Sequence, residues 1–196
     1  MSASSNPLGR NHYGRRISPG AVLVLSKDRA ETRPVPDSLL RLLVIGYGNT
    51  LRRDDGAGVR AAEAVEALAL PGVEVITRHQ LVPELAEPIS RAQAVVFVDA
   101  AVDAPTGVAL RPIEAGQIAD AVSAPNLLGH ATSPPSLIAM ARGLFGHGPE
   151  AWTLAIPIQD MAFGEDLSAA ARAGVEEAVR MIRELHASGK DSSQAG

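Results

Sequence analysis

The stretch LLVIGYGNTLRRDDGAGV, Leu42 to Val59, decides how this chain folds. Four apolar residues of strand type, Leu42 to Ile45, run into Gly46. A polar turn with two adjacent carboxylates, Asp54 and Asp55, follows, and Gly56 and Gly58 then open a helical pattern. Strand, glycine-rich turn and helix form the start of an α/β unit, and open α/β sheets place their sites at the carboxyl ends of the strands. The apolar residues run continuously instead of alternating, so the strand, read over 41–45, is expected to be covered on both faces, as in a parallel sheet.

The whole chain, 196 residues, suits one compact domain. A hydrophobic share of 46% and a charged share of 20% are those of an ordinary globular protein. No apolar run reaches the length of a membrane span, and the longest one near the N-terminus, Ala21 to Leu25, is too short for a signal-peptide core. The chain therefore reads as cytoplasmic, with no membrane partner. The absence of cysteine removes disulfides, thiolate metal sites and cysteine nucleophiles, leaving His, Asp and Glu as metal ligands. Residues 1–40 carry six basic side chains (Arg10, Arg15, Arg16, Lys27, Arg29, Arg33) against three acidic ones (Asp28, Glu31, Asp37), net +3, so within the overall −4 the remainder carries −7. An acidic domain without a basic stripe argues against a nucleic-acid partner. Residues 1–40 are rich in Ser, Pro, Gly and Arg without sustained periodicity and read as a disordered or loosely packed extension.

Beyond the opening unit, the helix after Gly58 places Val59, Ala62, Val65 and Leu68 on one face, and Pro71-Gly72 ends it. A second strand spans 73–76, and a helix begins at Pro83 with Leu85 and Ile89 inward. The most apolar strand, AVVFV at 94–98, ends at Asp99. A fourth strand over 108–113 follows the turn 103–107 so closely that a hairpin is expected, making the sheet mixed. Residues 114–133 read as a long loop of the functional kind. Ser133-Pro134-Pro135 opens a helix with Leu137, Met140, Ala141 and Leu144 inward. A fifth strand spans 152–156, and Ser168 caps a last helix carrying Ala171, Val175, Ala178, Ile182 and Leu185. Residues 188–196 read as a disordered tail.

Several residues invite chemistry. Helix capping accounts for one of Asp54 and Asp55, and two carboxylates in a glycine-rich turn exceed that need. A dinucleotide fingerprint fails, because Leu51 stands where the third glycine is required and Thr77-Arg78 where an acid is expected. A phosphate-binding loop of the Walker type fails for want of a lysine. Asp99 follows five apolar residues, and a lone carboxylate there is costly unless it is paired or meets a cation. Of five histidines, His12 lies in the extension, His147 in a glycine turn and His186 at a helix end, which leaves His79 and His130. Asp55, Asp99 and His130 all fall where loops above the strand ends could converge, and two carboxylates with an imidazole suit a divalent transition metal.

With these residues in view, the chain resembles the nickel–iron hydrogenase maturation endopeptidases over roughly residues 41–187. The likeness rests on GYGNTLRRDDGAGV (46–59), HQLVPELAEPI (79–89), AVVFVDA (94–100) and GHATSPPSLIAMARGLFG (129–146). The resemblance implies an α/β fold of three layers, a twisted, mostly parallel but mixed five-stranded sheet with helices on both faces. It implies an endopeptidase that removes the C-terminal extension of a nickel–iron hydrogenase large-subunit precursor after nickel insertion. Nickel would arrive on the substrate and not as the enzyme's own cofactor, and the enzyme would act as a monomer. Carried over by motif, Asp55, Asp99 and His130 would meet the metal, with Asp55 and Asp99 catalytic. Gly46, Gly48, Asn49, Asp54, Gly56 and Gly58 would shape the turn. A non-hydrolytic nickel chaperone for hydrogenase assembly would use the same three ligands.

Overall fold

The computed structural model describes residues 40–102, 107–123 and 132–192. Five strands, β1 (Leu40–Tyr47), β2 (Val73–Arg78), β3 (Ala92–Ala101), β4 (Ala109–Pro112) and β5 (Glu150–Pro157), form one sheet in the order β2-β1-β3-β5-β4. β1 pairs in parallel with β2 and β3, and β3 with β5; only β4 runs antiparallel, against β5. The sheet is thus mixed, as expected, but the expected hairpin is not there. β4 lies beside β5, not β3, because the long parallel ladder from Ala94↔Glu150 to Ala101↔Pro157 takes that edge of β3. A short turn fixes chain reversal without fixing the neighbour. The turn residues 103–106 lie outside the described residues, as do 1–39 and 193–196.

Helices cover both faces. Leu43, Ile45, Val95 and Phe97 pack on the side of α2 (Ala86–Ser90), α3 (Ala115–Ser123) and α4 (Pro134–Phe145). Leu42, Val44, Val96 and Val98 pack on the side of α1 (Ala57–Ala67) and α5 (Ala169–Ser192). The central side chains of β1 and β3 are almost wholly buried on both sides, which is why their sequences are unbroken apolar runs.

Four expectations need correction. Residues 115–123 form α3, not loop; Ala115, Ile118, Ala119 and Val122 recur at helical spacing, and among the residues whose burial is described only Ile118 is buried. Leu68 and Leu144, expected inward, are 41% and 69% exposed, since burial on α1 stops at Val65 and on α4 at Ala141. β1 does not stop at Gly46, and β3 does not stop at Asp99: ladder bonds carry β1 to Tyr47 and β3 to Ala101. The last helix continues to Ser192, beyond the expected start of the tail. Ser133 caps α4 as expected, in a reciprocal pair with Ser136, and Ser168 Oγ accepts from Ala171 N–H at the head of α5.

Gly46 and Gly58 let α1 sit directly on the strand ends. A Cβ on Gly58 would lie 2.6 Å from the Tyr47 carbonyl oxygen and would also overlap that of Val98. Both neighbours are backbone and cannot swing away, so Gly58→Ala is expected to lower stability by about 3 kcal/mol, measured by urea unfolding. An unchanged midpoint would show that α1 does not need this close seat.

Candidate functional site

The order β2-β1-β3 places a topological switch between β1 and β3: the chain leaves β1 toward β2 through α1 on one face and returns to β3 through α2 on the other. Crevices at such points are where open sheets bind ligands. A cleft of about 840 Å³ opens at the carboxyl ends of these strands. Tyr47, Gly48, Asn49, Arg52 and Asp55 line it from β1 and the following turn, His79 to Pro83 from the segment after β2, Asp99 from β3, and Thr132 to Pro134 from the start of α4.

The turn is built around its glycines and one buried acid. Gly48 has φ +139°, and any side chain there would also strike the Asp55 carbonyl oxygen. Asn49 Oδ1 accepts from Leu51 N–H at 3.0 Å, and Asn49 N–H donates to Asp55 Oδ2 at 3.1 Å. Gly56 packs against Thr50, where a Cβ would lie 2.9 Å from Cα. Gly46 lies under Ala62 of α1.

The two neighbouring aspartates have opposite surroundings. Asp54 is wholly buried and accepts from Gln159 N–H (3.3 Å), Asp160 N–H (3.1 Å), Ser168 N–H (2.7 Å) and Ser168 Oγ–H (2.9 Å). Burial alone would raise its pKa; the bonds from Ser168, Asp160 and Gln159 outweigh burial and hold it below the ordinary value. Reciprocal backbone bonds, Arg53 N–H to Gly164 O (2.8 Å) and Gly164 N–H to Leu51 O (3.0 Å), join the same two segments, as does the ion pair between Arg53 and Asp160. Asp54 therefore ties the turn to residues 159–168. Neither aspartate caps α1, whose N-terminus has no side-chain cap. Asp55 is half-buried and faces the cleft.

Asp99 reaches the cleft from inside β3. Burial pushes its pKa up, the nearby Asp55 charge adds to this, and bonds from the Tyr47 hydroxyl and Ala100 N–H oppose it. Tyr47 is itself pushed well above the usual phenol range by burial first, then by the Asp99 charge and their hydrogen bond. Of the three residues expected to meet a metal, Asp55 and Asp99 thus share the cleft. His130 lies outside the described residues. Among the described residues, no group of three or more His, Asp or Glu is placed to hold a metal ion.

Tyr47, His79 and Arg52 complete a lining that the sequence reading did not assign. Ending β1 at Ile45 hid the Tyr47 signal, which was its even spacing from Leu43 and Ile45. His79 was legible as the histidine directly after the second strand. The Arg52 guanidinium lies 6.0 Å from the centroid of the Phe163 ring, which is 89% exposed, on the rim where the two loops join.

No protein-family model and no curated protein sequence matches the chain. Solved structures do. The chain is similar to the hydrogenase 2 maturation peptidase of Thaumarchaeota archaeon SCGC_AB-539-E09, at 20% identity over 74% of this chain and 97% of that one, with a TM-score of 0.55. It is similar to the hydrogenase maturating endopeptidase HybD of E. coli, at 23% identity over 76% and 94%, TM-score 0.56. It is also similar to the [NiFe] hydrogenase maturation protease HybD of Thermococcus kodakarensis, at 24% identity over 74% and 98%, TM-score 0.53. The α/β fold is the one these structures share. Among the described residues, no helix is long and apolar enough to cross a membrane.

Proposed function

We propose that this chain is a hydrogenase maturation endopeptidase, cutting the C-terminal extension from a nickel–iron hydrogenase large-subunit precursor once nickel is in place. The observation that carries this reading is the convergence of Asp55 and Asp99 on one cleft at the switch point of a fold shared with such peptidases. The cleft is open and lined by polar groups from four chain segments, which suits a peptide end.

In this reading nickel arrives as part of the substrate. Asp55 and Asp99, joined by His130 on the strength of its sequence motif, touch the metal and so position only a loaded precursor. A carboxylate takes the proton of the attacking water, or the metal polarises the scissile carbonyl as a Lewis acid. The protein works as a cytoplasmic monomer. A chaperone that inspects nickel without hydrolysis would use the same groups, but the fold's likeness is to proteins named as peptidases.

The test is incubation with precursor followed by mass spectrometry of the intact chain. Loss of a C-terminal peptide from nickel-loaded precursor, and its retention in apo-precursor, is the expected result. Retention in both would leave the chaperone reading, and equal cleavage of both would remove the nickel gate while keeping the peptidase.

A further inference from the structure

We propose that Tyr47 is the positioning residue of Asp99, orienting the carboxylate by a hydrogen bond from a neutral donor and leaving its negative charge for the cation that enters the cleft; for the reaction itself this rests on the function proposed above. The placement follows from sheet register. Leu43↔Val95 and Ile45↔Phe97 are cross-strand pairs on the α2–α4 face, and one more repeat brings Tyr47 opposite Asp99 on that face. The Tyr47 ring packs against the apolar layer below, and its side chain and that of Asp99 line the same cleft within reach of each other. Each group answers the other's need: a half-buried phenol seeks an acceptor, and a half-buried carboxylate seeks a donor.

The choice of donor matters. Among the described residues, no ion pair involves Asp99, although Arg52 and His79 line the same cleft. An arginine or lysine in the place of Tyr47 would fix the carboxylate and also neutralise it, competing with a metal ion for the same oxygens. A phenol fixes it without supplying a charge. A carboxylate has about four lone-pair sites, so bonds from Tyr47 and Ala100 leave acceptor capacity for an incoming ligand.

Two measurements on the full chain test this. Tyr13 and Tyr47 are the two tyrosines, so in a Tyr13→Phe background ring-labelled tyrosine gives one carbon signal, that of the Tyr47 phenol. Asp99→Asn and Asp99→Ala are expected to move that signal; a signal unmoved by both overturns the pair, whatever the protein does to precursor. In cleavage of nickel-loaded precursor, Tyr47→Phe is expected to lower kcat about tenfold to a hundredfold, with KM and melting temperature unchanged. In an Asp99→Asn background the same change is expected to have no further effect. A full additional loss in that background, or an unchanged kcat in the single variant, overturns the positioning role. If the wild-type chain cleaves no precursor, the proposed function fails, and the carbon signal still decides whether Tyr47 and Asp99 are paired.

Discussion

Asp99→Asn is expected to process nickel-loaded precursor about a hundredfold to ten-thousandfold more slowly than the parent chain while folding at least as stably. The substitution keeps shape and leaves an amide oxygen to accept from Tyr47, so the packing of β3 is retained. It removes the charge, which burial and the neighbouring Asp55 disfavour in the folded protein. A neutral side chain relieves that cost, so the urea midpoint should stay or rise as activity falls, the opposition expected of a group kept for function at the expense of stability. Asp55→Asn should match the loss of activity, and the double variant should be little worse than either alone, since groups acting as one unit are not additive. Single-turnover cleavage followed by mass spectrometry reads all three. A normal rate in Asp99→Asn would remove Asp99 from the chemistry. His130→Ala in the same assay decides the histidine's part.

Asp54→Ala should do the reverse, damaging stability before chemistry. It removes the acceptor for three backbone N–H groups, of Gln159, Asp160 and Ser168, and for the Ser168 hydroxyl, around a side chain with no solvent exposure. Each donor left buried and unpaired costs about 1–3 kcal/mol, so a loss of at least about 3 kcal/mol is expected in urea unfolding. Asp54→Asn should recover part of the loss, because its amide oxygen in the Oδ2 place can accept from Gln159, Asp160 and the Ser168 hydroxyl while its NH2 faces the Ser168 N–H. The same bonds give a pH dependence of known sign. Asp54 has a lower pKa folded than unfolded, so the unfolded chain takes up its proton first as acid is added. The stabilisation is full above about pH 4 and disappears as pH falls through the lowered folded value. Asp54→Ala should therefore flatten the acid limb of the stability profile. A midpoint in the variant equal to that of the parent chain, across pH, would show that residues 159–168 are not held by this carboxylate.

These two neighbours show where sequence carries the answer and where it does not. Continuous apolar runs identified β1 and β3 because burial on both faces leaves no room for alternation, and the cost of an isolated carboxylate marked Asp99. Nothing local distinguished Asp54 from Asp55. The difference lies in residues 159–168, which donate from more than a hundred positions away. The missing hairpin has the same origin: strand order depends on which distant strand takes an edge first, and turn length is silent about that. Leu68 and Leu144 were misplaced because periodicity reports a face without reporting how far along the helix a partner continues.

The position of β5 between β3 and β4 has a consequence for how the protein is made. A nascent chain leaves the ribosome N-terminus first. The strand bearing Asp99 and the turn bearing Asp54 emerge before their partners, β5 and residues 159–168. Until β5 and residues 159–168 have emerged, Asp54 lacks its donors from Gln159, Asp160 and Ser168, and one side of β3 stays open. A copy that stops before β5 therefore lacks both the neighbour of the strand bearing Asp99 and the donors that hold Asp54.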